Sequence, residues 1–177
     1  MKKFSFLCNR FHTILCVSCI LIMICLMNGC YTFTGGNSLP EHLQTIYIPP
    51  VTDNTGLGTS QYRDAMGQFL VAKFRNDNSL RVVESGGDSR LTVTMASATE
   101  AAVSIRPGER ERERRLTMAL DVEFYDAVQR RQMWRRTFTE NQNYDVTGDP
   151  QRERDRAVRV ILDRISDQVV ISVISNW

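Results

Sequence analysis

Residues 115–126, RLTMALDVEFYD, alternate cleanly between apolar and polar side chains. The apolar residues fall on every second position and are Leu116, Met118, Leu120, Val122 and Phe124. Because successive side chains of a β-strand point to opposite faces of the sheet, this spacing predicts a strand with one buried face and one solvated face. An antiparallel sheet with a single apolar face is the setting that such a strand requires.

Shorter patterns on both sides of this stretch predict four further strands, at residues 43–51, 80–84, 90–98 and 132–140. Pro49 and Pro50 end the first of them, since proline has no N–H for a strand ladder. Residues 52–60 and 85–88 are rich in Gly, Ser, Thr, Asn and Asp, and they are predicted loops.

Two segments have helical periodicity. The first covers residues 60 to about 76, with apolar residues near helical spacing on one side. The second begins after Asp149, which with Pro150 forms a cap and first turn, and its apolar stripe continues to Val173. Its last residues, VVISVISNW, are largely β-branched, which leaves a strand as the alternative there. The unbroken helical period favours a helix.

Two helices with apolar stripes and a sheet with one apolar face can cover each other. The predicted fold is therefore an α+β two-layer sandwich. Its two helices pack on one face of a mostly antiparallel sheet of about four to five strands.

The N-terminal region has the features of a secretory signal. Lys2, Lys3 and Arg10 precede an almost unbroken apolar run at residues 14–27, and Gly29 then precedes Cys30. This order predicts a lipoprotein-type signal peptide at residues 1–29, with Cys30 as the lipidated first residue of the mature chain. The alternative is an uncleaved membrane anchor, for which the apolar segment is at the short end of the roughly 17–25 residues required.

The predicted mature chain consists of a lipidated tether, residues 30–44, and one domain, residues 45–177. The four other cysteines all precede Gly29, so the sequence predicts neither a disulfide framework nor a metal cluster in the domain. Removal of Lys2, Lys3 and Arg10 changes the formal net charge from +2 to −1. A chain with that charge balance is not expected to bind nucleic acid.

No catalytic residues, metal site or cofactor are predicted. His42 is the only histidine of the mature chain, it has no nucleophile motif around it, and it is expected to be a surface residue. The Gly35-Gly36 and Gly86-Gly87 pairs lack the lysine that follows the glycines of a phosphate-binding loop.

Residues 104–115, SIRPGERERERR, are predicted to form the hairpin between two strands, with Arg106 at its tip. Arg110, Arg112 and Arg114 share the parity of Leu116, so an extended strand would place three guanidinium groups at the mouth of the apolar interior. Guanidinium groups at that position suit an amphiphile that carries phosphates and acyl chains. The alternative is a mobile loop whose intervening glutamates neutralise its arginines.

A second group of arginines, expected to be plain surface at the opposite end of the hairpin stack, consists of Arg130, Arg131, Arg135 and Arg136.

The chain resembles the lipopolysaccharide-assembly lipoproteins, the LptE-like proteins. The likeness lies in the residues from Cys30 to Gly35 (CYTFTG), in residues 38–46 (SLPEHLQTI), in the order of the elements, and in a closing helix that ends at Asn176-Trp177. The resemblance implies a non-catalytic lipoprotein, anchored by acyl chains on the periplasmic side of the outer membrane.

The resemblance also implies two partners. One is an outer-membrane β-barrel (LptD-like), and the other is lipopolysaccharide, which the two proteins together place on the cell surface. Family members bind lipopolysaccharide through basic residues near strand ends, and the corresponding residues here are Arg106, Arg110, Arg112 and Arg114. The alternative function is an activator or accessory lipoprotein of a cell-wall synthase or secretion channel, which Asn54-Thr55 after the first strand keeps open.

Overall fold

The computed structural model describes residues 39–56, 60–103 and 112–175. Within these ranges the order of elements is β1 (Thr45–Tyr47), β2 (Thr52–Asp53), α1 (Ser60–Asp77), β3 (Arg81–Val83), β4 (Ser89–Ala102), β5 (Glu113–Asp126), β6 (Arg131–Asp145) and α2 (Pro150–Ser175). The described residues of the compact unit 37–177 form an α+β sandwich with two helices, which confirms the predicted fold class.

The strands form one mixed sheet in the order β3-β1-β4-β5-β6. β4, β5 and β6 are an antiparallel meander, whereas β1 runs parallel to both β3 and β4. The expectation of a mostly antiparallel sheet therefore needs correction. The helix α1 connects β1 to β3 as a crossover, and a crossover returns the chain to the same end of the sheet, so the two strands that it joins are parallel.

The sixth strand comes from a predicted loop. Thr52 and Asp53 pair in parallel with Thr94 and Met95 of β4, and the Asn54 N–H donates to the Met95 carbonyl at 2.9 Å. A two-residue strand contains no alternation, which is why composition alone indicated a loop.

The core lies between the sheet and the helices. All five apolar residues of the β5 row are fully buried. The residues of α2 that face them, also fully buried, are Val158, Ile161, Leu162, Ile165, Val169 and Val173. α1 contributes Tyr62, Met66, Leu70 and Phe74 to the same cluster.

The end of α2 remains helical to Ser175, so the helix expectation is confirmed for the part that the structure describes. Val169, Val170 and Val173 are buried there. Their burial against the core stabilises the helix by more than the modest preference of β-branched residues for strands opposes it. Neither helix of the described ranges is both long and apolar enough to span a membrane.

The end of the predicted tether is fixed to the domain by a polar contact that was not expected. His42 is only 29% exposed, and its Nε2 lies 2.8 Å from the Asp126 carboxylate at the end of β5. The prediction of a plain surface histidine is therefore wrong. Residues 1–29 and most of the predicted tether, Cys30 included, lie outside the described residues.

Candidate functional site

The predicted arginine hairpin lies where β4, β5 and β6 end together. Arg114 pairs with Ala102 of β4 and Tyr144 of β6, so it is the next member of the core-facing row after the buried Leu116. Arg112 precedes β5, and its carbonyl accepts a hydrogen bond from the Val146 N–H at 3.0 Å. Arg112 is exposed, and the Arg114 side chain is 45% exposed.

The parity expected for Arg114 is thus observed, and the structure brings Arg112 to the same end of the sheet. Arg106 and Arg110 lie outside the described residues, as does the hairpin tip itself.

Glu100 occupies the centre of this end. It follows Ala98 in the core-facing row of β4, opposite Leu116. Its carboxylate accepts a hydrogen bond from the Tyr144 hydroxyl at 2.8 Å and another from the Arg154 Nε of α2, and it lies 3.8 Å from the Arg114 guanidinium. One carboxylate therefore links three elements: β5, β6 and the first turns of α2.

The electrostatics of these residues follow from their burial and their contacts. Desolvation raises the pKa of Glu100, but the hydrogen bonds from Arg154 and Tyr144 outweigh it, so its pKa is below its usual value. Burial lowers the pKa of Arg154, and the Glu100 carboxylate more than compensates for it. The pKa of Tyr144 is raised, first by burial and then by its bond to Glu100. Glu100 and Arg154 are therefore both ionised at neutral pH.

A second polar contact joins the two helices beside this cluster. The Tyr62 hydroxyl of α1 donates to Asp155 of α2 at 2.6 Å. Burial, followed by that hydrogen bond to a carboxylate, raises the pKa of Tyr62 to about 12. This contact holds the N-terminal turns of α2 against α1, and with them Arg154.

The described part of this end contains guanidinium groups, phenols and a carboxylate engaged in hydrogen bonds. Its exposed guanidinium groups are of the kind that bind anions such as phosphates. Among the described residues, no group of three or more His, Cys, Asp or Glu side chains could hold a metal ion.

Sequence reasoning identified the arginines of the hairpin and missed Glu100, Tyr144 and Arg154. Glu100 lies 54 residues from Arg154 along the chain, so no local pattern connects the two. The parity of the β4 row gave no signal either, because the bulge between Met95 and Ser97 moves the core-facing row from odd to even positions and so brings Glu100 onto it.

The second arginine group has a different setting. Arg130 lies in the turn between β5 and β6, at the opposite end of the meander, and Arg131 begins β6. All four of its arginines are exposed, as expected. The Arg136 guanidinium stacks 5.3 Å from the centre of the Trp134 ring.

Comparisons with known proteins agree with this architecture. A sequence model of the family LptE, described as lipopolysaccharide-assembly, matches residues 43–173. A comparison with curated proteins found no match.

Solved structures of low sequence identity share the fold. A minor lipoprotein from Acinetobacter baumannii is similar at a TM-score of 0.51 and 12% identity, covering 74% of this chain and 92% of that one. The rare lipoprotein B from Shewanella oneidensis has a TM-score of 0.51 and 12% identity over 71% of this chain and 92% of its own. A lipoprotein B from Nitrosomonas europaea has a TM-score of 0.50 and 15% identity, covering 78% of this chain and 90% of that one. At these identities the likeness concerns the fold alone.

Proposed function

The chain belongs to the LptE family of lipopolysaccharide-assembly proteins, and from that premise we propose that it is a non-catalytic outer-membrane lipoprotein that assists lipopolysaccharide assembly together with a β-barrel translocon. The observation that carries this proposal is the extent of the family match, because residues 43–173 include every described strand, all of α1, and α2 up to Val173.

The membrane attachment in this proposal is provided by Cys30. Cleavage before Cys30 and acylation of the new N-terminus would anchor the domain on the periplasmic side of the outer membrane. The bond between His42 and Asp126 fixes the chain to the folded domain twelve residues after Cys30, so the anchor and the domain would be joined by a short tether.

The proposed lipopolysaccharide contact is the arginine end of the sheet, with Arg106, Arg110, Arg112 and Arg114. The exposure of Arg112 and Arg114 supports it, as does their position beside the end of the buried Leu116 row. Guanidinium groups bind phosphate in a bidentate manner, and a neighbouring apolar row suits acyl chains. Glu100 would then limit the affinity, because its carboxylate lies 3.8 Å from Arg114.

The partnership is tested by affinity purification of the tagged full chain from detergent-solubilised outer membranes, followed by mass spectrometry. We expect a large β-barrel protein at close to equal stoichiometry that remains through washing. Recovery of the chain alone, or with a cell-wall synthase or secretion channel, would contradict the proposal and favour the accessory function.

The arginine end is tested separately, by binding of lipopolysaccharide to the purified full chain. Arg112→Ala and Arg114→Ala should each weaken binding about threefold to tenfold, since each removes a charge-assisted contact. Arg131→Ala, at the opposite end of the meander, is the matched control and should leave binding unchanged. Glu100→Gln should strengthen the binding of lipopolysaccharide, because this substitution removes the negative charge beside Arg114. Equal losses for Arg112→Ala and Arg131→Ala would show that net charge, and not this end, governs binding.

A further inference from the structure

The last strand of the meander has one open edge. Among the described residues, β6 pairs with β5 alone, although it runs for 15 residues from Arg131 to Asp145. Long edge strands present unpaired N–H and C=O groups that can pair with another chain. Met133 has no partner in the register with β5, so it forms a bulge that interrupts the edge near its start. The regular edge therefore extends from Trp134 to Asp145, and its stretch from Trp134 to Gln142 is centred on Phe138.

This regular edge is self-complementary. If two copies pair antiparallel about a two-fold axis at Phe138, Thr137 lies opposite Thr139, and Arg136 lies opposite Glu140. The axis repeats each pair, so both Glu140 side chains face an arginine and no like charges face each other. Directly opposed side chains of opposite charge stabilise an antiparallel pair, whereas like charges destabilise it. A register centred on Glu140 itself would instead place two carboxylates in contact.

A buried polar atom supports the same register. The Trp134 Nε1–H is buried without an acceptor among the described residues, and such groups are uncommon in folded proteins. With the axis at Phe138, Gln142 of the second copy lies opposite Trp134 on the same face of the sheet. Its carboxamide oxygen is an acceptor for the indole N–H once Arg136, which stacks on the Trp134 ring, turns to Glu140 of the second copy.

The adjacent helix adds an apolar contribution. Gln168 of α2 donates to Glu140 at 2.5 Å, which places this side of α2 beside the open edge. Ile171 lies three residues further along the helix, on the neighbouring surface position, and it is 59% exposed. A second copy at the edge would bring a second α2 to this side and cover both Ile171 side chains.

We propose that β6 is a docking edge for a second copy of this chain, which pairs antiparallel with its axis at Phe138 and extends the sheet across both copies. The contact is independent of lipopolysaccharide binding, because its residues are not those of the arginine end.

The register is tested by disulfide cross-linking. Full chains carrying Thr137→Cys and Thr139→Cys, with different tags, are co-expressed and extracted in detergent. Position 137 of one copy lies opposite position 139 of the other, so two cysteines meet only when one copy of each variant pairs. The mixture should therefore form a disulfide between positions 137 and 139. Mass spectrometry of the linked peptides identifies it. Thr139→Cys mixed with Asn143→Cys is the matched control, and it should give a much lower yield. Equal yields in both mixtures, or no link in either, would overturn the proposal.

Charge exchange tests the same contact without cysteines. Arg136→Glu and Glu140→Arg each place like charges opposite each other twice and should weaken association of two differently tagged chains about tenfold. The double variant restores both pairs and should recover association. A folded double variant that associates as weakly as the single variants contradicts this register. If a single variant fails to fold, the cross-linking experiment alone tests the register.

Discussion

At the scale of single residues, Glu100 is the polar side chain on which the arginine end of the sheet depends. It accepts hydrogen bonds from Tyr144 and Arg154, and its side chain is only 23% exposed. Removing such an acceptor leaves the half-buried Arg154 without compensation.

We therefore expect Glu100→Ala to lower the free energy of unfolding by about 1–3 kcal/mol. The measurement is urea denaturation of the full chain followed by circular dichroism. Glu113→Ala is the control at the same end of the sheet, because Glu113 is exposed, and it should change stability by less than about 0.5 kcal/mol. Similar losses for both variants would mean that the Glu100 contacts contribute little.

Asp126 gives a prediction for pH dependence. Its side chain is fully buried and accepts hydrogen bonds from the Gln129 N–H and from His42, each at 2.8 Å. Desolvation raises the pKa of Asp126, but these hydrogen bonds outweigh it and hold the pKa below the usual 3.8. A carboxylate with a depressed pKa stabilises the fold above the pKa of the unfolded chain, and this stabilisation is lost as the pH falls through the folded pKa.

Asp126→Asn should accordingly destabilise the protein near neutral pH by about 1–3 kcal/mol, and less in acid. The difference in unfolding free energy between wild type and variant should be constant at neutral pH and should narrow as the pH falls below about 4. Denaturation curves between pH 7 and pH 2 measure it. A difference that is as large at the lowest pH as at neutral pH would contradict the role assigned to the ionised carboxylate.

At the scale of elements, two glycines should respond to alanine in opposite directions. Gly67 is inside α1 beside an open cavity of about 740 Å³, and an added Cβ would meet no atom within 4 Å. Gly87 lies between β3 and β4, where a Cβ would be 2.8 Å from the Tyr47 nitrogen and 2.9 Å from the Ser89 carbonyl oxygen. Backbone atoms cannot rotate away as a side chain can, so β1 or the connection must shift.

Gly67→Ala should therefore raise the unfolding free energy by about 0.5–1 kcal/mol, because alanine is the better helix former. Gly87→Ala should lower it by about 1–3 kcal/mol. The measurement is thermal denaturation of each variant. A third variant, Gly148→Ala, is the control, because its added Cβ also meets no atom within 4 Å. A neutral Gly87→Ala would show that the connection to β4 relaxes without cost.

The helices and strands differ in how far the sequence could predict them. The β5 row and both helical stripes are local periodicities, and each was found because its buried side depends on neighbouring residues. The parallel pairing of β1 with β3 depends on a crossover, and that of β2 with β4 on residues about 40 positions apart, so neither left a local pattern. The last residues of β6, from Asn141 to Asp145, were missed because they are polar and mostly unburied.

In the candidate site, too, local features could be predicted from the sequence and long-range contacts could not. Parity along β5 predicted the direction of Arg114, since it depends on residues next to it. The engagement of Arg114 with Glu100, and of Glu100 with Arg154, arises from long-range packing of α2 on the sheet. The contacts that moderate the charge of this end were therefore not visible in the sequence.

At the scale of the whole molecule, the proposed attachment and the proposed partners depend on how the chain begins. With residues 1–29 attached, the formal net charge is +2, and after cleavage before Cys30 it is −1. The mature domain would then have a small negative net charge with a local excess of arginine at two ends of its meander. Long-range attraction to anionic lipid is weak for such a protein, so attachment must come from acyl chains.

The chain purified from membranes should therefore begin at Cys30 and exceed the mass of its polypeptide by the mass of several acyl chains. Each buried methylene contributes about 0.8 kcal/mol, and several chains hold the domain firmly where one would not. Intact mass spectrometry measures both features. Cys30→Ser should abolish the acylated species, whereas Cys25→Ser, within the predicted signal peptide, should leave the mature mass unchanged. A wild-type chain that retains Met1 would instead establish the uncleaved anchor, since the apolar segment would then remain in the membrane as a helix.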